Sequence, residues 1–113
     1  MLSPSRWCSR AVRRLVLAGL LGAPAALAQE AAPDEARLLF QQQAQPPCAL
    51  CHSLRAAAAS GNIGPDLDQL MPSAEQVEAA LRGGLGVMPS YADSLDDEQI
   101  ALLAHYVSQV AGK

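Results

Sequence analysis

The chain is short of aromatic residues (4% of 113 positions), of charged residues (17%) and of cysteine, of which it has three. No stretch alternates apolar and polar residues in the way of a half-buried strand, so a sheet protein is excluded. No internal repeat or low-complexity tract is present apart from a richness in alanine. The eight basic residues are outnumbered by eleven acidic ones, for a net charge of −3, which argues against nucleic acid as a partner. Of the three cysteines, Cys8 stands near the start, leaving two for everything after it. Those two cannot make a four-cysteine zinc site or a disulfide framework.

What is present begins with a leader. Arg6, Arg10, Arg13 and Arg14 form a basic region. Leu15 to Leu21 is an apolar run too short to span a bilayer comfortably. Ala26-Leu27-Ala28 then offers a small-x-small cleavage site. Residues 1–28 therefore read as a cleaved secretory signal peptide and residues 29–113 as one small domain, with an uncut membrane anchor as the competing reading. Arg13-Arg14 resembles a twin-arginine signal, but that route exports folded chains. Cleavage removes four of the eight basic residues and leaves four against eleven acidic ones, so the mature charge is −7. A partner with a basic docking surface is the complement of that charge, acting mainly on association rate.

The mature stretch is organised around Cys48-Ala49-Leu50-Cys51-His52. Two thiols three residues apart on one helical turn can each add to a vinyl group of one porphyrin, and the following imidazole then faces the iron. A Cys-x-x-Cys redox pair would want a βαβ setting, and a zinc knuckle would want more Cys or His nearby. Covalent haem is therefore the expectation, with periplasmic export to match. Some 85 residues are marginal for a core made of side chains alone, and a buried haem would add the missing apolar mass.

Around this motif the spacing predicts three or four short helices. Residues 29–33 read as a flexible lead-in, with Pro33 as a first helical residue and Asp34 and Glu35 at the dipole's positive end. Ala36, Leu39 and Phe40 recur at helical spacing to about Gln43, Phe40 as core, before Pro46-Pro47 ends the helix. A short helical continuation is expected over Ser53–Ser60, then a loop over Gly61–Leu67. Within it, the Pro65 carbonyl is placed to accept the second N–H of a metal-bound His52. Ser73 to Gln76 is a capping-box pattern, and the helix behind it should stop at Gly83-Gly84.

Leu85-Gly86-Val87-Met88-Pro89 is then a glycine-loosened loop delivering a methionine, the usual partner of histidine in low-spin haem. Met71 is also followed by proline, but it is tied to the start of a helix and reads as core filler. A last helix over 97–111, capped by Asp96, carries Ile100, Leu103, Ala104 and Val107 on its apolar arc. At about 100° per residue His105 falls on the opposite, polar face. Tyr106 lies at the arc's edge, in reach of the N-terminal helix.

In this order, Cys48 to His52, Gly64-Pro65-Asp66-Leu67, Gly83 to Pro89 and the helix through Tyr106-Val107 resemble the small monohaem class I cytochromes c over about residues 35–111. One departure is Leu39-Phe40, where the family carries a glycine before its aromatic. The resemblance implies an all-α fold around one covalently attached haem c, with Cys48 and Cys51 as thioether anchors. It further implies His52 as proximal ligand, Pro65 as acceptor for the histidine N–H, and Met88 as distal ligand. It implies single-electron transfer rather than catalysis, between a donor dehydrogenase and an acceptor oxidase or another cytochrome. The Gly-Asn-Ile-Gly-Pro-Asp-Leu and Gly-Val-Met-Pro segments also look like those of the cytochrome partners of periplasmic sulfite-oxidising enzymes. The rival reading is a haem-based sensor or enzyme whose Met88 is displaced by a small molecule; a fixed subunit of a larger dehydrogenase is a third. Arg55, Arg82 and Tyr91 are the side chains from which contacts to the haem propionates could come.

Overall fold

A computed structural model describes residues 28–113. The leader's arginines, its apolar run and the cleavage motif as far as Leu27 lie outside the described residues. The elements in chain order are α1 (Ala28–Leu38), a π-helical turn (Leu39–Gln43), α2 (Cys48–Cys51), β1 (Ser53–Leu54), a 3-10 turn (Arg55–Ala57), β2 (Ala59–Ser60), α3 (Leu67–Leu70), α4 (Ala74–Gly83) and α5 (Asp97–Val110).

α1 differs from expectation at both ends. Helix already covers residues 28–33, and Pro33 sits inside it rather than at its first turn. A proline there has no N–H to give the turn before it. At the other end the N–H of Ala44 reaches back five residues to the Leu39 carbonyl at 3.0 Å. That widened turn places Leu39 and Phe40, both buried, on the core side.

The segment after His52 is not the expected helix; only a 3-10 turn, Arg55–Ala57, falls within it. His52 is extended, at φ −110° and ψ 141°, and Ser53–Leu54 pairs antiparallel with Ala59–Ser60 around Ala58, which lies in the left-handed region at φ 49°. Four consecutive alanines favour a helix locally, but the chain must return over α2. At Gly61 it passes so near that a Cβ would stand 2.6 Å from the Cys51 carbonyl carbon. Tertiary packing overrides propensity here. The expected loop, in turn, ends in a helical turn, α3. The Asp66 carboxylate caps it by accepting from the N–H groups of Asp68 (2.9 Å) and Gln69 (3.3 Å).

α4 and α5 follow the sequence closely. Ser73 and Gln76, and likewise Asp96 and Gln99, form complete capping boxes. α5 packs on both α1 and α4. Phe40, Leu39, Leu54, Ile100 and Leu103 are the largest fully buried side chains of the core, each contributing roughly 1.5–3 kcal/mol by burial. Tyr106 is buried on α5 close to Arg37 and Asp34 of α1. Two ionic ties brace the ends. Arg82 of α4 reaches Glu78 at 3.0 Å and Asp97 of α5 at 2.7 Å. Asp68 accepts the backbone N–H of Arg55 (2.8 Å) and of Gly112 (2.9 Å), and these hold its carboxyl below the usual carboxylate range.

Met71 is a correction. It is 65% exposed, not core filler. As the C-cap of α3 it takes a left-handed backbone at φ 46°, which directs its side chain outward beside Gly112.

Candidate haem site

α2, the 61–67 loop, α4 and the segment after it enclose a cavity of about 800 Å³ with a mainly apolar lining, within the usual size of small-molecule and cofactor sites. Cys48, Cys51, His52, Pro65, Met88 and Tyr91 all border it. The fold thus brings Cys48, Cys51, His52, Pro65 and Met88 around one cavity, from positions up to forty residues apart.

The near wall is α2. Extended Pro47 leads into it and the N–H of His52 closes it on the Cys48 carbonyl at 2.9 Å. Both thiols are unpaired. Burial pushes the Cys48 thiol up to about 11. A nucleophilic redox cysteine needs the opposite shift, so the environment of Cys48 does not favour the Cys-x-x-Cys redox reading. The zinc reading loses its ligands, because among the described residues no three His, Cys, Asp or Glu side chains come together.

His52 is oriented by the loop that crosses it. Its Nδ1 lies 2.8 Å from the Pro65 carbonyl oxygen, which fixes Nδ1 as the protonated nitrogen and leaves Nε2 with the lone pair a metal needs. The Gly64 N–H donates to the Cys51 carbonyl at 2.7 Å. A Cβ on Gly64 would stand 2.6 Å from the ring's Cε1. Gly61 and Gly64 are thus functional positions that composition marks only as loop; their role is a close approach between distant segments, which no local pattern announces.

The far wall carries Met88. Gly84, at φ 70°, ends α4 and passes under the Met88 and Ser90 backbone, where a Cβ would stand 2.9 Å from the Met88 carbonyl oxygen. Leu85 and Met88 then exchange two backbone hydrogen bonds of 3.0 Å around Gly86 at φ 60°. This is a glycine-first two-residue turn. Beyond it the Tyr91 N–H donates to the Leu81 carbonyl at 2.7 Å, and its hydroxyl donates to the Pro46 carbonyl at 2.7 Å. Tyr91 is buried, and burial pushes its hydroxyl up to about 12. It links the methionine arm to the residues just ahead of Cys48.

Of the polar candidates around the cavity, Arg55 donates from its guanidinium to the Lys113 carbonyl at 2.7 and 3.2 Å, and Arg82 is held by its two carboxylates. Neither borders the cavity. His105 is exposed on the polar side of α5 and is also absent from the lining.

An apolar cleft with two thiols on one turn, an imidazole held by its Nδ1 and a thioether on the same cavity fits a covalently bound haem. No curated protein matches the chain. The family model described as "Cytochrome C oxidase, cbb3-type, subunit III" matches residues 31–107. Among solved structures, the c-type cytochrome SorU from Sinorhizobium meliloti is similar, with 46% sequence identity and a TM-score of 0.70, over 74% of this chain and 95% of that one. The chain belongs to the family of that model, and it is a small, mostly helical class I cytochrome c that carries one covalently bound haem c.

Proposed function

We propose that this protein is a periplasmic single-electron carrier, with Cys48 and Cys51 as thioether anchors, His52 and Met88 as axial ligands, and residues 1–28 removed on export. When bound, haem supplies reversible one-electron exchange at its iron, and the polypeptide determines its ligands, its potential and its access. Cys48 and Cys51 hold the cofactor's edge against α2. Pro65 accepts the Nδ1 hydrogen of His52, which keeps the ring in one tautomer and makes Nε2 the better donor. Met88 offers a thioether, a ligand that favours the reduced state relative to a second imidazole. Leu67, Val107 and Tyr91, all buried on the lining, keep water from the inner end of the cleft. With His52 and Met88 both held as ligands, no coordination site would be left open for a substrate.

The observation that carries this reading is the 2.8 Å approach of His52 Nδ1 to the Pro65 carbonyl beside Gly64. A histidine so restrained is shaped to ligate through its other nitrogen. The acidic balance of residues 29–113 favours redox partners with basic docking surfaces. Among the described residues no helix is long and apolar enough to cross a membrane. On the resemblance of its two glycine-rich segments, the donor is a sulfite-oxidising dehydrogenase, and the acceptor a terminal oxidase or another cytochrome.

The test is spectroscopic and kinetic. Purified mature protein should begin at residue 29, keep its pigment through acid-acetone extraction, and show a low-spin spectrum with a sulfur-to-iron charge-transfer band when oxidised. Reduced protein should take up CO slowly or not at all; rapid, tight CO binding would transfer the assignment to the sensor reading. Reduction by a sulfite-oxidising dehydrogenase, measured with the enzyme captured from periplasm, tests the donor.

A further inference from the structure

The cavity presents an electrostatic problem, because haem c carries two propionate carboxylates into a protein that is already acidic. The two arginines nearest in sequence to the site are committed elsewhere, Arg55 to the Lys113 carbonyl and Arg82 to Glu78 and Asp97. Among the described residues that line the cavity, none is Arg or Lys. Apart from the cysteines, the polar side chains on the lining are His52, Tyr91 and Gln76. Nδ1 of His52 belongs to Pro65, and the Tyr91 hydroxyl already donates to Pro46.

Gln76 is different. Its Oε1 accepts the Ser73 N–H at 2.9 Å as half of the capping box. That bond pins the side chain at one atom and leaves both hydrogens of Nε2 available, on a residue that borders the cavity. A planar amide held by its oxygen has its nitrogen directed by the same bond.

We propose that Gln76 is a cofactor-binding residue whose Nε2 donates to a haem propionate, so that a neutral amide takes the place an arginine would otherwise fill. This rests on the reading that the cavity holds haem c. One capping box then serves two ends: it starts α4 and it sets the donor that steadies an anion at the cofactor's edge. A neutral donor offsets only part of the propionate charge, so the site keeps a more negative field at the iron than a guanidinium would allow.

Two variants and one direct measurement test it. Gln76→Met keeps the length of the side chain and removes both donors without adding charge; it also removes the capping oxygen, so a lowered potential supports the inference only together with the cross-relaxation below. Its reduction potential should fall by about threefold in the ferric/ferrous ratio at fixed electrode potential, roughly 28 mV at 59 mV per decade. Gln76→Glu keeps the capping box, because glutamate serves at that position, and should lower the potential further. In the reduced wild-type protein, the Gln76 side-chain amide protons should show cross-relaxation to a propionate methylene. A Met variant with wild-type potential and an unchanged low-spin spectrum overturns the inference, whatever the Glu variant does, since an added charge lowers the potential without any hydrogen bond. If the Met variant fails to mature, absence of the cross-relaxation in wild type overturns it instead. Either result leaves the cytochrome reading intact, whereas colourless wild-type protein would remove that reading first.

Discussion

The two walls of the cleft are built on different principles. The near wall, from Cys48 to His52, is crossed by a second backbone at van der Waals distance: Gly61 lies on the α2 backbone and Gly64 on the imidazole, with Pro65 fixing the ring. The far wall is a self-contained turn. Leu85 and Val87 on it are 75% and 87% exposed, and it is tied to the rest by the Gly84 approach, by packing of Met88 on the core, by the Ser90 hydroxyl donating to the Arg82 carbonyl at 2.6 Å, and by Tyr91. On the proposed ligation, the histidine that must hold through every redox cycle sits where packing over-determines it. The methionine proposed to adjust the potential sits on an arm whose other side chains, Leu85 and Val87, face solvent.

That contrast is best broken at the near wall. His52→Ala should give the largest effect, abolishing the low-spin spectrum while still allowing thioether attachment, as read by absorption and by haem staining of the denatured protein. Gly64→Val should come next, because its Cβ meets the imidazole at 2.6 Å. Overpacking of this kind costs about 1–3 kcal/mol, visible as a lowered midpoint in denaturant and a perturbed histidine ligand. On the far wall, Met88→Leu should remove the sulfur-to-iron charge-transfer band and lower the potential with the fold intact; an unchanged spectrum would refute Met88 as ligand. Tyr91→Phe should cost about 1 kcal/mol for the lost bond to the Pro46 carbonyl. It should also loosen the methionine arm, measured as easier displacement of the sulfur ligand by an added base such as imidazole.

The smallest effect sharpens the comparison by its absence. Met71→Leu should leave spectrum and potential unchanged, since Met71 points to solvent from the end of α3. Acid should act at another place. The Asp68 carboxyl is held below its usual range by the N–H groups of Arg55 and Gly112. Its contribution is therefore present above the ordinary carboxylate pKa and lost as pH falls through the lowered one. Exchange protection at Arg55 and Gly112 should decline over that interval and be absent in Asp68→Ala, which removes both acceptors.

How much of this was legible in the sequence follows the range of the forces involved. Ser73 with Gln76, and Asp96 with Gln99, act across three residues, so α4 and α5 could be read directly, as could the exposed His105. Cys48 to His52 was legible because thioether chemistry dictates its spacing. The Ala56–Ala59 run misled because its helix propensity is local, whereas the return of the chain over α2 is not. Asp66 as the cap of α3 was hidden inside a stretch that composition marks as loop. Gly61 and Gly64 could not be read as packing residues at all: what each touches is decided by a segment nine or more positions away. Gln76 was visible only as a helix signal, and its second place, on the cavity, needed the fold.

The turn from Leu85 to Met88 closes on itself by two hydrogen bonds, with only Gly86 and Val87 between the paired residues. Such a unit behaves as an exchangeable cassette. Its middle pair can be rewritten to retune driving force or partner choice while sulfur delivery and the anchoring helix are inherited unchanged, giving evolution or an engineer a dial separate from the chassis.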